Sequence, residues 1–110
     1  MDLATMMESF GLDHGECKEI LDLFIEKTVS DLEELEEAIQ EAKPSMAVKL
    51  AHSIKGASAN LGLDGIFNAA KGIEEQARQG SVESAVESID FIRRSLGTLQ
   101  SFSGIDSEAE

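Results

Sequence analysis

Tryptophan and tyrosine are absent from this sequence, and phenylalanine occurs only five times in 110 residues. Without large aromatics, Leu, Ile, Ala and Met must fill any core, which suits helices better than sheets. Proline occurs once, at Pro44. Cys17 is the single cysteine and has no partner for an internal disulfide; on a helical stripe it reads as a packing residue rather than a reactive thiol. No stretch approaches the roughly 18 apolar residues of a membrane-spanning helix, and no charged-then-apolar leader pattern opens the sequence. The expectation is a cytoplasmic protein of a reducing compartment, away from the membrane.

Positive charge is also scarce. Nine Lys and Arg face 22 Asp and Glu, for a formal charge of −13. A nucleic-acid binder needs a basic footprint, so that class is excluded. The few bases are unevenly placed: five of them, against three acids, lie between Lys43 and Arg78, while the rest of the chain holds four bases and 19 acids. A mildly basic segment inside a strongly acidic protein suits a local anion.

What the sequence does have is helical periodicity. With 42% hydrophobic residues it can bury one modest core, read as a single domain over residues 1–103. Leu3 to Phe10 fits a short amphipathic helix closed by Gly11. Asp13, with Glu16 three residues on, has capping-box spacing for a long helix whose stripe recurs through Phe24, Leu32, Leu35 and Ile39. Its acids (Asp31, Glu33, Glu34, Glu36, Glu37 and Glu41) read as a solvated face. Pro44 suits the first turn of the next helix, which Gly62 stops. Asp64 is read as the cap of a third long helix ending at Gly80, and Ser81 as the cap of a fourth carrying Ile89, Ile92, Leu96 and Phe102 in register. Residues 104–110 read as an acidic flexible tail. No window alternates with period two. The expected fold is all-α, an antiparallel up-down four-helix bundle with the short N-terminal helix as a lid.

The chemistry concentrates between residues 45 and 63. At 100° per residue, Ala47, Leu50, Ile54, Ala57 and Leu61 gather opposite His52, while Ser45, Val48, Lys49, Lys55, Gly56 and Ala59 share its face. The histidine therefore points away from the core stripe. Lys49 and Lys55, at i−3 and i+3, are both expected to reach the space above the imidazole. They disfavour a cationic ring and favour a phosphorylated one, which adds up to about two negative charges. Gly56, costly inside a helix, clears space for something to approach the ring. His14 has only Cys17 as a spaced companion, too few ligands for a metal site. No Gly-rich nucleotide loop is present.

The run His52-x-x-Lys55-Gly56-x-Ser58-x-x-Leu61-Gly62-Leu63 closely resembles the signature of histidine-containing phosphotransfer (HPt) domains. The long acidic helix with Phe24 before it, and the helix with Ile73-Glu74 after it, extend the resemblance over residues 13–100. It implies an up-down four-helix bundle whose His52 is the phosphoacceptor, with Lys55 as phosphate partner and Gly56 as clearance. It implies partners that are receiver domains of response regulators or hybrid kinases, exchanging a phosphoryl group with an aspartate, any Mg²⁺ belonging to the receiver and no cofactor to this chain. Autonomous kinase activity is not expected, and the acidic exterior suits a monomer. Ser58 falls nearer the core face and reads as packing. Lys49, Val48, Ala59, Lys71 and Arg78 are candidates for the docking surface from geometry alone. The rival reading is an adaptor bundle that binds such partners without transferring phosphate.

Overall fold

The computed structural model describes Gly11 and residues 14–83 and 85–108, with side chains of the last helix described as far as 101. Four helices account for nearly all of it: α1 (His14–Gln40), α2 (Pro44–Asn60), α3 (Asp64–Arg78) and α4 (Ala85–Glu108). No strand occurs among the described residues. The short helix expected over Leu3–Phe10 and the cap expected at Asp13 lie outside them.

Each helix buries one stripe. Leu21, Phe24, Ile25, Leu32 and Leu35 of α1 meet Ala47, Leu50 and Ile54 of α2, Ile66 and Ile73 of α3, and Ile89, Ile92 and Leu96 of α4. Full burial of one such Leu or Ile contributes about 1.5–3 kcal/mol. The helices form a ring in which α1 packs on α2, α2 on α3, α3 on α4, and α4 back on α1. The α2/α3 contact is the closest-knit of the four, because small residues (Ala47, Ala51, Ala70, Ala77) let the backbones approach.

The helix stops follow from left-handed residues. Gly62 (φ +67°) and Gly80 (φ +83°) end α2 and α3. Around Gly62 the Leu63 amide donates to the Ser58 carbonyl (2.9 Å) and the Gly62 amide to the Ala59 carbonyl (3.1 Å), the paired bonds of a Schellman end. The same pattern closes α1, where Lys43 donates to Ala38 (2.8 Å), but there the left-handed position is held by Ala42 at φ +52°.

Three details of the sequence reading need correction. Leu63, not Asp64, occupies the cap of α3, and Asp64 sits in the first turn, where its charge still favours the helix dipole. Ser81 lies in the connection ahead of α4, which begins at Ala85. The α4 backbone stays helical through Gly104 to Glu108, where the sequence suggested a flexible tail from 104. No helix among the described residues is long and apolar enough to cross a membrane.

Candidate functional site

The core stripe of α2 decides where His52 points. Burying Ala47, Leu50, Ala51 and Ile54 turns His52 outward, and its side chain is 65% exposed. One turn on, Gly56 is exposed, and a Cβ built there would meet nothing within 4 Å. No packing among the described residues requires that glycine. Ser58 is fully buried and donates to the Ile54 and Lys55 carbonyls (2.8 and 3.0 Å), as its place near the core face implied.

From α3 comes a residue that the helical wheel of α2 could not supply. Glu74 lies in the α2/α3 seam with its side chain only 4% exposed. Lys55 Nζ reaches its Oε1 at 2.7 Å, Arg78 reaches its Oε2 at 2.6 Å, and His52 Nδ1 meets the same Oε2 at 3.0 Å. A buried carboxylate survives only when paired and hydrogen-bonded. Lys55 and then Arg78 are the main reasons its pKa is held down to about 2, with His52 adding less and burial opposing all three.

An ionised carboxylate only accepts hydrogen bonds. Nδ1 of His52 must therefore carry an N–H and donate the hydrogen bond to Glu74, which fixes the tautomer and leaves the Nε2 lone pair free on the exposed part of the ring. A second buried acid steadies the other side of α2. Asp31 of α1, 7% exposed, accepts from Lys27 (3.0 Å) and from Ser53 Oγ (3.2 Å), the residue after His52. The sequence reading had placed Asp31 on the solvated face of α1; its hydrogen bonds across to α2 explain its burial.

The expected residues sort into three groups. His52, Lys55 and Arg78 converge on Glu74, and Gly56 and Ala59 lie open on α2. Val48 is half-buried and packs against the core rather than standing clear beside the histidine. Lys49 on α2 and Lys71 on α3 are exposed, and neither makes an ion pair with a described residue. Lys49 and Lys55 were expected to act alike on the imidazole. They do not, because Lys55 is drawn to the buried Glu74 while Lys49 stays in solvent.

Among the described residues, a helical bundle presents an exposed imidazole that is anchored from behind by a buried carboxylate with cations beside it, the make-up of proteins that offer a ring nitrogen to a partner. Residues 19–102 match the Hpt domain family, and the chain belongs to it. Members of that family are phosphotransfer intermediates of phosphorelays rather than kinases. The crystal structure of histidine-containing phosphotransfer protein B from Pseudomonas aeruginosa PAO1 is similar to this chain, with a TM-score of 0.80 and 26% sequence identity, over 98% of this chain and 91% of that one. No curated protein sequence matches the chain.

Proposed function

We propose that His52 accepts a phosphoryl group from the aspartyl phosphate of a receiver domain and passes it to the aspartate of another. The Nε2 lone pair attacks phosphorus in line, forming the N–P bond as the bond to the aspartate oxygen breaks, and that carboxylate leaves with the electron pair. The ring becomes cationic, because Nδ1 keeps its proton. Glu74, already ionised and in contact with Nδ1–H, offsets that charge as it develops. Lys55 and Arg78, held next to His52 through their shared partner Glu74, are the cations available to meet the phosphoryl oxygens. Transfer onward is the same path reversed.

The observation that carries this reading is the His52–Glu74 hydrogen bond. It makes an exposed histidine into an oriented nucleophile, where an incidental surface histidine would have no buried partner. The open space over Gly56 admits the partner to the ring, and Lys49, Lys71 and Ala59 are the exposed residues offered to it, Val48 being turned to the core. Leu23, 62% exposed on α1 one turn before Lys27, is a further apolar contact for docking, since Lys27 reaches Ser53 Oγ at 3.4 Å. The reading also includes an up-down antiparallel arrangement with a short N-terminal lid, a cytoplasmic monomer, no kinase activity of its own, and Mg²⁺ supplied by the receiver. Short connections between consecutive helices support the first of these.

The test is label transfer from receiver domains charged at their aspartate, comparing wild type with His52→Gln. Acid-labile label on wild type alone is expected. Label persisting on the variant, or a wild type that binds charged receivers tightly and takes no label, would replace this reading with that of an adaptor.

A further inference from the structure

The ring of helices has a second seam, between α1 and α4, across the bundle from the α2/α3 seam that holds His52. Two hollows run along it. One, of about 290 Å³, is bordered by Val29, Glu33 and Gly97; the next, of about 100 Å³, by Glu36, Val86 and Asp90. Glu36 and Arg93 bridge the seam between them. On α1 the lining residues run from Val29 to Gln40, a stripe about 16 Å long at 1.5 Å per residue, which is three turns of a docked helix.

Three observations point to an occupant. The seam keeps apolar side chains in water, with Val29 40% and Val86 57% exposed. The hollows are lined by more acid than base: Glu33 and Glu36 from α1 and Asp90 from α4, against Arg93, which pairs with Glu36. Glu33 and Glu36 thus belong to the seam as well as to the outer face of α1, and Asp90 belongs to its α4 side. Finally, Gly97 lies inside α4 with ordinary helical backbone, and a Cβ added there would meet nothing within 4 Å. Glycine in a helix interior is unfavourable relative to alanine. No described residue calls for it, and its effect is to deepen the larger hollow. Gly56 has the same character beside His52.

We propose that the α1/α4 seam is a second docking face, which takes a cationic amphipathic helix of a partner protein. Leucine-like side chains of that helix enter the hollows beside Val29 and Val86, and its Lys or Arg residues meet Glu33 and Asp90 on the rims. A second copy of this chain is a poor occupant, since each carries a formal charge of −13. Because the seam lies across the ring from His52, a partner held there leaves the imidazole free. Tethering of this kind raises the effective concentration of an attached receiver without occupying the phosphoacceptor.

The experiment uses the full chain, isotopically labelled for NMR, titrated with a synthetic peptide of leucine and lysine at helical spacing. Backbone shifts should cluster at 29–40 and 86–100, leave the amides around His52 unmoved, and weaken as salt is raised. Gly97→Leu, whose Cβ meets nothing within 4 Å and whose side chain takes up room in the hollow, should bind at least ten times more weakly, with its helical content unchanged. Glu33→Lys combined with Asp90→Lys should do the same. Shifts centred away from the seam would overturn the proposal, as would Gly97→Leu binding like wild type. A dimer of the chain alone that Gly97→Leu dissolves would assign the seam to a second copy instead. Failure here leaves the phosphotransfer reading untouched, because that reading is measured by label on His52.

Discussion

Replacing Glu74 by glutamine removes a charge and keeps the shape, which isolates what the carboxylate does. In the folded chain its pKa is held at about 2 against an ordinary 4.5, chiefly by Lys55 and Arg78. A carboxyl with a depressed folded pKa adds stability above its unfolded pKa and loses it as pH falls through the folded value. Full linkage over that gap would be about 3 kcal/mol. Arg78 and His52 face solvent, so screening reduces the contribution at pH 7 to about 1–2 kcal/mol. Glu74→Gln should therefore lower Tm at neutral pH by roughly 4–12 °C. Urea titrations followed by circular dichroism, at a series of pH values, measure the gap between the two proteins. It should be constant above about pH 5 and close between 4.5 and 2, where the wild-type carboxyl gains its proton and matches the amide in charge. A gap that stays constant down to pH 2, or none at pH 7, would refute the claim that ion pairing at Glu74 holds α3 against α2.

Other expectations follow from single residues. Ala42 holds a left-handed φ of +52° at the end of α1, so Ala42→Gly should stabilise the chain by about 0.5–1 kcal/mol in chemical denaturation. Thr28 is buried, and its Oγ1 has no hydrogen-bond partner among the described residues; Thr28→Val should raise stability by about 1 kcal/mol. Lys55→Ala should slow transfer to His52 roughly tenfold in single-turnover kinetics, the loss of one charge-assisted contact, while leaving receiver binding within a few-fold. Gly56→Leu should fold as well as wild type, since the position is exposed and a Cβ there meets nothing within 4 Å, yet block transfer by filling the approach to the ring. A Gly56→Leu protein that transfers at the wild-type rate would show that the glycine is mere tolerance.

Much of this was legible in the order of residues, and the reasons differ from place to place. The four long helices follow from the spacing of residues such as Leu32, Leu35, Ile73, Ile89 and Ile92, all buried as their period requires. The outward direction of His52 followed from one helix alone, because Leu50 and Ile54 fix which side of α2 meets the core. Glu74 did not emerge as part of the site, since its partners Lys55 and His52 belong to another helix. A signal existed: Glu74 follows Ala70 by four residues and precedes Ala77 by three, which places an acid inside the buried stripe of α3. Asp31 carries the same signal on α1, three residues after buried Thr28 and one before buried Leu32. An acid at a core register demands a cation or donor from a neighbouring element, and sequence alone does not say which. The caps at Asp64 and Ser81 were misplaced because capping residues compete with ordinary first-turn and loop positions, and the backbone at Gly62 and Gly80 settled the register of the next helix instead.

The most direct test of the account is phosphorus NMR on the chain loaded by a charged receiver, read for the site and the ring nitrogen that carry the phosphoryl group. Donation of Nδ1–H to Glu74 requires phosphate on Nε2 of His52, and the account predicts that species alone. Phosphate on Nδ1, or on any residue other than His52, would contradict it.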